Sequence, residues 1–190
     1  MIPVRQSMGG LGNLMFKEAY IFARMKEGLI SDTYVQSEKY WEKCKEEIKA
    51  KFGVGIKSGS LDFVSLHVRR GDYVDNPFYF HLWETDYYEK AMKEFPNEKF
   101  LIFCSDKQGR DKTDMDWCAE RFKGEKFVFY IPNTETEDMN SMASCKGHIM
   151  ANSSFSWWAA YLGGGKTVCP KQWFSDGIQR CELLDNWIKI

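Results

Sequence analysis

His67-Val68-Arg69-Arg70-Gly71-Asp72 gathers an imidazole, two guanidinium groups and a carboxylate at the end of an apolar run. Phe63 to Arg69 is rich in strand formers and alternates, so it reads as a β-strand. Side chains on a strand repeat every second residue. Phe63, Ser65, His67 and Arg69 therefore share one face, and Val64, Leu66 and Val68 share the other. His67 and Arg69 emerge side by side where the strand runs out, Gly71 turns the chain, and Asp72 follows. Open α/β sheets bind ligands beyond the carboxyl ends of their strands. A guanidinium fork suits phosphate oxygens, so the two arginines point to an anionic ligand. A strand end with solvated arginines is the plain structural alternative.

Two further stretches carry related chemistry. In Asn152-Ser153-Ser154-Phe155-Ser156-Trp157-Trp158 a strand has just ended and an apolar helix begins. Ser153 or Ser154 suits the N-cap, and the free N–H groups of a first helical turn attract anions. Ordinary capping of a core helix, with both tryptophans as packing, fits the same residues. Gly9-Gly10-Leu11-Gly12-Asn13 is a glycine loop before a helix. It is not a dinucleotide fingerprint, since Met15 stands at the third glycine position, and no Gly-Lys-Ser/Thr makes it a Walker loop.

The elements that must hold these residues form an alternating α/β string from residue 61 onward. Strands are predicted at Phe63–Arg69, Phe100–Cys104, Phe127–Ile131, His148–Ala151 and Thr167–Cys169. Helices are predicted around Tyr87–Phe95, Asp114–Phe122 and Phe155–Leu162, with Met139, Met142 and Cys145 recurring at helical spacing. Such alternation implies a mostly parallel sheet. Before it, Ile2–Arg5 could be a short strand. Leu14–Lys26 is an apolar helix, and Trp41–Phe52 is a charged helix supported by Glu42–Lys45 and Glu46–Lys49 pairs. Sixty residues make a poor independent core, so this part should lean on the larger one.

The bulk numbers exclude several classes. A chain of 190 residues with 44% hydrophobic and 28% charged content is a soluble globular protein of one domain or two small ones. A net charge of −1 argues against a general nucleic-acid face. No apolar run approaches the roughly 20 residues of a membrane span. The first residues do not read as a signal peptide, so the expected location is cytoplasmic. The 6 cysteines show no C-x-x-C pair, so neither zinc nor a disulfide framework is expected. Asp114-Met115-Asp116 is a D-x-D pattern of the kind that can ligate a divalent metal, but it reads better as a helix's acidic first turn behind a Thr113 N-cap. Asn152-Ser153-Ser154 is a glycosylation sequon to which no glycan is assigned.

Taken in order, Gly9–Asn13, Gln36-Ser37-Glu38-Lys39-Tyr40, His67–Tyr73 and Ser153–Ala159 resemble glycosyltransferase family 11, the α-1,2-fucosyltransferases. The resemblance implies a GT-B-like α/β architecture: residues 1–60 as a reduced acceptor-side part, and 61–190 as a complete Rossmann-like domain that binds a GDP-sugar. It implies an inverting transferase needing no metal or cofactor, moving L-fucose from GDP-β-L-fucose to a carbohydrate acceptor. Its site residues would be Arg69, Arg70 and Asp72 at the catalytic centre. His67, Gly10, Gly12, Asn13, Ser153, Ser154, Phe155 and Ser156 would surround the donor. Asp106 is a further candidate, since a carboxylate can accept from guanine N1 and N2. The family loop usually continues with Gln where Leu14 stands, and the segment before Gln36 is shorter than in typical members. A donor-binding remnant without transfer activity is the alternative reading. The aromatic loop Tyr73–Trp83 could form an acceptor platform or a folded lid.

Overall fold

A computed structural model describes residues 10–26, 36–104 and 111–190. Six strands form one sheet in the order β3-β2-β1-β4-β5-β6, and every neighbouring pair is parallel. They are β1 (Leu61–His67), β2 (Phe100–Phe103), β3 (Phe127–Phe129), β4 (Cys145–Ile149), β5 (Lys166–Cys169) and β6 (Ile188–Lys189). The helices are α1 (Leu11–Lys26), α2 (Lys45–Phe52), α3 (Tyr87–Lys93), α4 (Asp111–Arg121), α5 (Glu135–Ala143) and α6 (Ser154–Gly163). The predicted Rossmann-like α/β class holds. Both faces are covered, as a parallel sheet requires: α1, α2, α5 and α6 pack on one, α3 and α4 on the other.

Alternation along β1 partitions as the sequence predicts. Val64, Leu66 and Val68 enter the α3/α4 core, while Phe63 joins the opposite one. On the α6 side, Phe16, Trp41, Trp157, Trp158 and Tyr161 interlock. Phe16 lies 4.7 and 5.0 Å from the two α6 tryptophans, and Trp41 stacks on Trp158 at 5.5 Å. These rings fasten residues 10–60 to the sheet, and among the described residues that segment supplies no strand. Ile2–Arg5 lies outside the described residues.

Several elements depart from the sequence reading. Cys145 opens β4 rather than extending a helix, because α5 ends at Ala143. A capping box at Thr134, whose hydroxyl accepts from the Glu137 N–H, fixes the start of α5. Helix α4 begins at Asp111, which puts Thr113 inside it rather than at its cap. Trp41 sits between two 3-10 turns, so the predicted Trp41–Phe52 helix is regular only from Lys45. Lys45 there pairs with Glu38 at 2.5 Å instead of Glu42. The sixth strand was not predicted; its two residues carry little pattern. No helix among the described residues is long and apolar enough to cross a membrane. All six cysteines are buried free thiols.

His148 of β4 is a core residue whose Nδ1 is hydrogen-bonded to Ser65 Oγ at 2.8 Å. Burial pushes its pKa down to about 4, and burial with the nearby Arg69 charge pushes His67 down to about 3. An unfolded histidine titrates near 6.5. The unfolded chain therefore takes up protons below that pH which the folded chain refuses. The stability from both rings is complete above pH 6.5 and is lost as pH falls toward 4 and 3. Urea denaturation at pH 7 and pH 5 should show a loss of about 1–2 kcal/mol per histidine; an unchanged midpoint would contradict two neutral buried rings.

Candidate functional site

The strand order reverses direction between β1 and β4. From β1 the chain moves outward to β2 and β3, and from β4 outward to β5 and β6. Helices that follow the two strands lie on opposite faces, so a crevice opens beyond their carboxyl ends. Chain geometry delivers His67–Asp72 to this crevice from β1 and Asn152–Ser156 from β4. The His67 and Phe155 rings are 6.0 Å apart, and the Tyr73 hydroxyl donates to the Asn152 carbonyl at 3.2 Å. Two tyrosines of α3 secure the strand ends where the ladder opens: Tyr88 donates to the His67 carbonyl at 3.1 Å and Tyr87 to the Met150 carbonyl at 2.7 Å.

Two helix N-termini meet here. Ser153 caps α6, its hydroxyl accepting from the Phe155 N–H at 3.3 Å. The Ser156 hydroxyl is turned inward, accepting from the Ala151 N–H and donating to the Ala151 and Ser153 carbonyls. Helix α1 arrives at Gly12 with its backbone against that of α6. A Cβ at Gly12 would stand 2.5 Å from the Ser154 carbonyl carbon and 2.7 Å from the Phe155 nitrogen. The Gly10 carbonyl accepts from Asn13 and Leu14 at 3.1 and 3.3 Å, and Asn13 Oδ1 accepts from Gln36 Nε2 at 2.7 Å. Of the first-turn N–H groups, that of Asn13 is taken by the Gly10 carbonyl and that of Phe155 by the Ser153 hydroxyl, while the dipoles of both helices put positive potential in the same place. His67 adds a buried Nδ1 that finds no hydrogen-bond partner among the described residues. Buried polar atoms are rarely left unpaired, and this one lies at the carboxyl end of β1, beside the crevice.

The two arginines part company. Arg69 stays at the strand end, where its Nη2 pairs with Asp72 Oδ1 at 2.7 Å and its guanidinium lies 5.4 Å from the Tyr73 ring. Arg70 turns to the α4 side. Its Nε donates to Asp114 Oδ1 at 3.1 Å, and its guanidinium sits 4.5 Å from Trp117 and 5.4 Å from Trp83. Asp114 is buried and spends its other oxygen on the Gly71 N–H at 2.7 Å. Gly71 has φ +27, which favours glycine at this turn. So the first carboxylate of the D-x-D pattern holds the arginine turn in shape. Sequence reasoning missed that role because the partners lie 43 and 44 residues apart. Asp106 lies outside the described residues, as does Gly9.

The aromatic loop packs down. Tyr73 and Tyr79 stack at 3.7 Å, Tyr79 bridges to Phe174, and Phe78 lies 5.0 Å from Phe174. Asn152 ties this wall to the crevice by donating to the Phe80 and Trp173 carbonyls, both at 2.9 Å. Its amide is buried, so the sequon offers no site for a glycan in the folded chain.

This geometry sits within a recognisable sequence family. The profile described as "Glycosyl transferase family 11" matches residues 29–190. The chain belongs to that family. It is 35% identical over 139 residues to the O-antigen biosynthesis glycosyltransferase WbnK of Escherichia coli, covering 66% of this chain and 44% of that protein. It is 32% identical over 185 residues to an alpha-1,2-colitosyltransferase of Escherichia coli, covering 82% and 60%. It is 34% identical over 115 residues to the galactoside alpha-(1,2)-fucosyltransferase 1 of Rattus norvegicus, covering 56% and 29%. The chain thus spans about half the length of the two bacterial relatives. Within this family 11 chain, the matched region contains the whole sheet and both the β1 and β4 strand ends.

Two substitutions probe the site's framework. Gly12→Ala forces α1 off the start of α6 and should cost about 1–3 kcal/mol by overpacking, read as a lowered urea midpoint. Asp114→Ala strands Arg70 and the Gly71 N–H together, and should cost about 3 kcal/mol, the scale for breaking a buried pair. A wild-type midpoint for Asp114→Ala would show that the arginine turn is held by something else.

Proposed function

We propose that this chain transfers L-fucose from GDP-β-L-fucose to a hydroxyl of a carbohydrate acceptor, O2 of a galactoside, with inversion and without a metal ion. The convergence of two helix N-termini, Arg69 and the unpartnered His67 nitrogen at the β1/β4 crevice carries this reading. Relatives named as galactoside fucosyltransferase and colitosyltransferase support the class of reaction and the acceptor. In this assignment residues 61–190 form the donor-binding part and residues 1–60 the acceptor side.

Transfer builds positive charge on the sugar ring, as in glycoside chemistry, and negative charge on the departing diphosphate. Preorganised donors aimed at that charge lower the barrier without a metal. Arg69, ion-paired with Asp72, brings its remaining N–H donors to the crevice, and the first turns of α1 and α6, at Gly12 and Ser154, supply N–H groups. Asp72 holds the Arg69 guanidinium in place. Arg70 acts through Asp114 and the Gly71 turn as a positioning residue. Buried and neutral, His67 offers its ring nitrogen to the nucleotide rather than a charge to the phosphates.

The second reading, a donor-binding remnant without transfer activity, draws on residues 10–60, which among those described hold no strand. Release of GDP from GDP-fucose, measured with a panel of galactosides in EDTA, separates the two. Turnover in chelator supports the transferase; GDP binding with no turnover on any galactoside supports the remnant; a strict Mn²⁺ requirement rejects the metal-free mechanism. Arg69→Ala should lower kcat by on the order of 100-fold or more, matching roughly 3 kcal/mol for one lost donor, and should weaken GDP binding. Unchanged kinetics in that variant would remove Arg69 from the reaction.

A further inference from the structure

The sheet ends in an open edge at β3, two strands away from the crevice. Phe100 donates its N–H to the Lys126 carbonyl at 2.7 Å, and Tyr130 donates its N–H to the Ile102 carbonyl at 2.9 Å. Main-chain groups along a strand point alternately to its two sides. Positions 126, 128 and 130 are therefore spent on β2, and positions 127, 129 and 131 face outward. The Phe127 N–H is turned back to the Gly124 carbonyl at 3.1 Å. The Phe127 carbonyl and the main-chain groups of Phe129 and Ile131 take no partner from the described residues.

Edge strands are usually blunted by charge or by proline. Here Phe127-Val128-Phe129-Tyr130-Ile131-Pro132-Asn133-Thr134 holds no charged residue, and Val128 and Ile131 are 40% and 82% exposed. Pro132 lacks an N–H, but its place in the alternation is on the β2 side, so it removes no donor from the outer edge. The residue before a proline favours an extended backbone, which keeps Ile131 in line with the strand. An apolar edge of this kind is a template for another strand.

The charges flanking the edge choose the occupant. Lys123, Glu125 and Lys126 precede the strand with a net positive charge, and Glu135, Glu137 and Asp138 follow it with a negative one. A parallel copy of the strand sets like charges together. An antiparallel copy sets the basic end of each strand against the acidic end of the other. Lys123 and Glu135 both lie six residues from Phe129, so a two-fold axis at Phe129 places each lysine opposite the other copy's glutamate. The same register lets the two Phe129 residues exchange N–H···O bonds and lays each Ile131 beside the other copy's half-buried Phe127. A closed two-fold dimer requires such a self-complementary patch.

We propose that this edge is a dimer interface, at which β3 pairs antiparallel with β3 of a second copy and joins two sheets into one. The crevice at β1 and β4 stays open in both copies, since β2 stands between β1 and the interface. The interface is therefore independent of what the chain transfers.

Sedimentation of the full chain over a range of concentrations tests this. The wild type should pass from one chain to two as concentration rises. Ile131→Lys should weaken the dimer about a hundredfold, because two-fold symmetry counts each lost isoleucine contact twice. Val128→Lys should act in the same direction, and both side chains are exposed in the single chain, so neither change disturbs its core. Lys123→Glu and Glu135→Lys should each weaken the dimer about tenfold. The double variant, and an equal mixture of the two single variants, should regain it. A wild type that stays a single chain at every concentration overturns the interface, as does a dimer that Ile131→Lys and Val128→Lys leave intact. A dimer indifferent to the charge swaps overturns the antiparallel register.

Discussion

The contact between Gly12 and the Ser154–Phe155 backbone sets the geometry of everything near the crevice. It brings the starts of two helices as close as their main chains allow. Two like ends of helix dipoles repel, each interaction being worth about 0.3–1 kcal/mol at an exposed site and more when partly buried. The fold accepts that repulsion because the same approach lets Phe16 sit among Trp41, Trp157 and Trp158. Burial of aromatic surface on this scale outweighs an opposed pair of dipole ends, since each such side chain contributes roughly 1.5–3 kcal/mol. An anion placed between the two ends converts the repulsion into attraction. The aromatic core thus creates the condition under which an anion is favoured there.

The arginine turn solves a related problem by alternation. A strand sends successive side chains to opposite faces, and the divergence of Arg69 from Arg70 continues that rule past the last paired residue of β1. One guanidinium stays at the strand end with Asp72 and Tyr73. The other is absorbed by Asp114 and two tryptophan rings on the α4 side, which anchors the turn from beneath. A charge that must meet a ligand in a fixed orientation benefits from such anchoring, because a rigid donor need not reorganise as charge develops.

Much of this was legible in the sequence because the signals were local. Period-two alternation gave the correct faces of β1, and the Ser-Ser step before an apolar helix gave the cap of α6. At Ser153–Trp158 the plain reading, capping of a core helix, holds. The serines cap and brace the first turn, while the tryptophans fill the core, and one helix start does both. What escaped was non-local. Asp114 meets Arg70 and Gly71 only after β2 and α4 have formed, and Lys45 finds Glu38 rather than the neighbour its helix spacing suggests. Likewise β6 is two residues long and exists only because β5 offers it an edge.

The aromatic wall from Tyr73 through Tyr79 to Phe174 then has a role that follows from its position. It runs from Arg69, over Tyr73, to Arg180, over Phe174, and Asn152 pins it to the end of β4. Excluding water strengthens every charge interaction inside a site, so apolar rings beside the crevice raise the effect of Arg69 on a ligand. Flat stacking of Tyr73 on Tyr79, at 3.7 Å and 1°, makes that wall stiff. A stiff apolar partition holds its Arg69 end and its Arg180 end at a fixed separation.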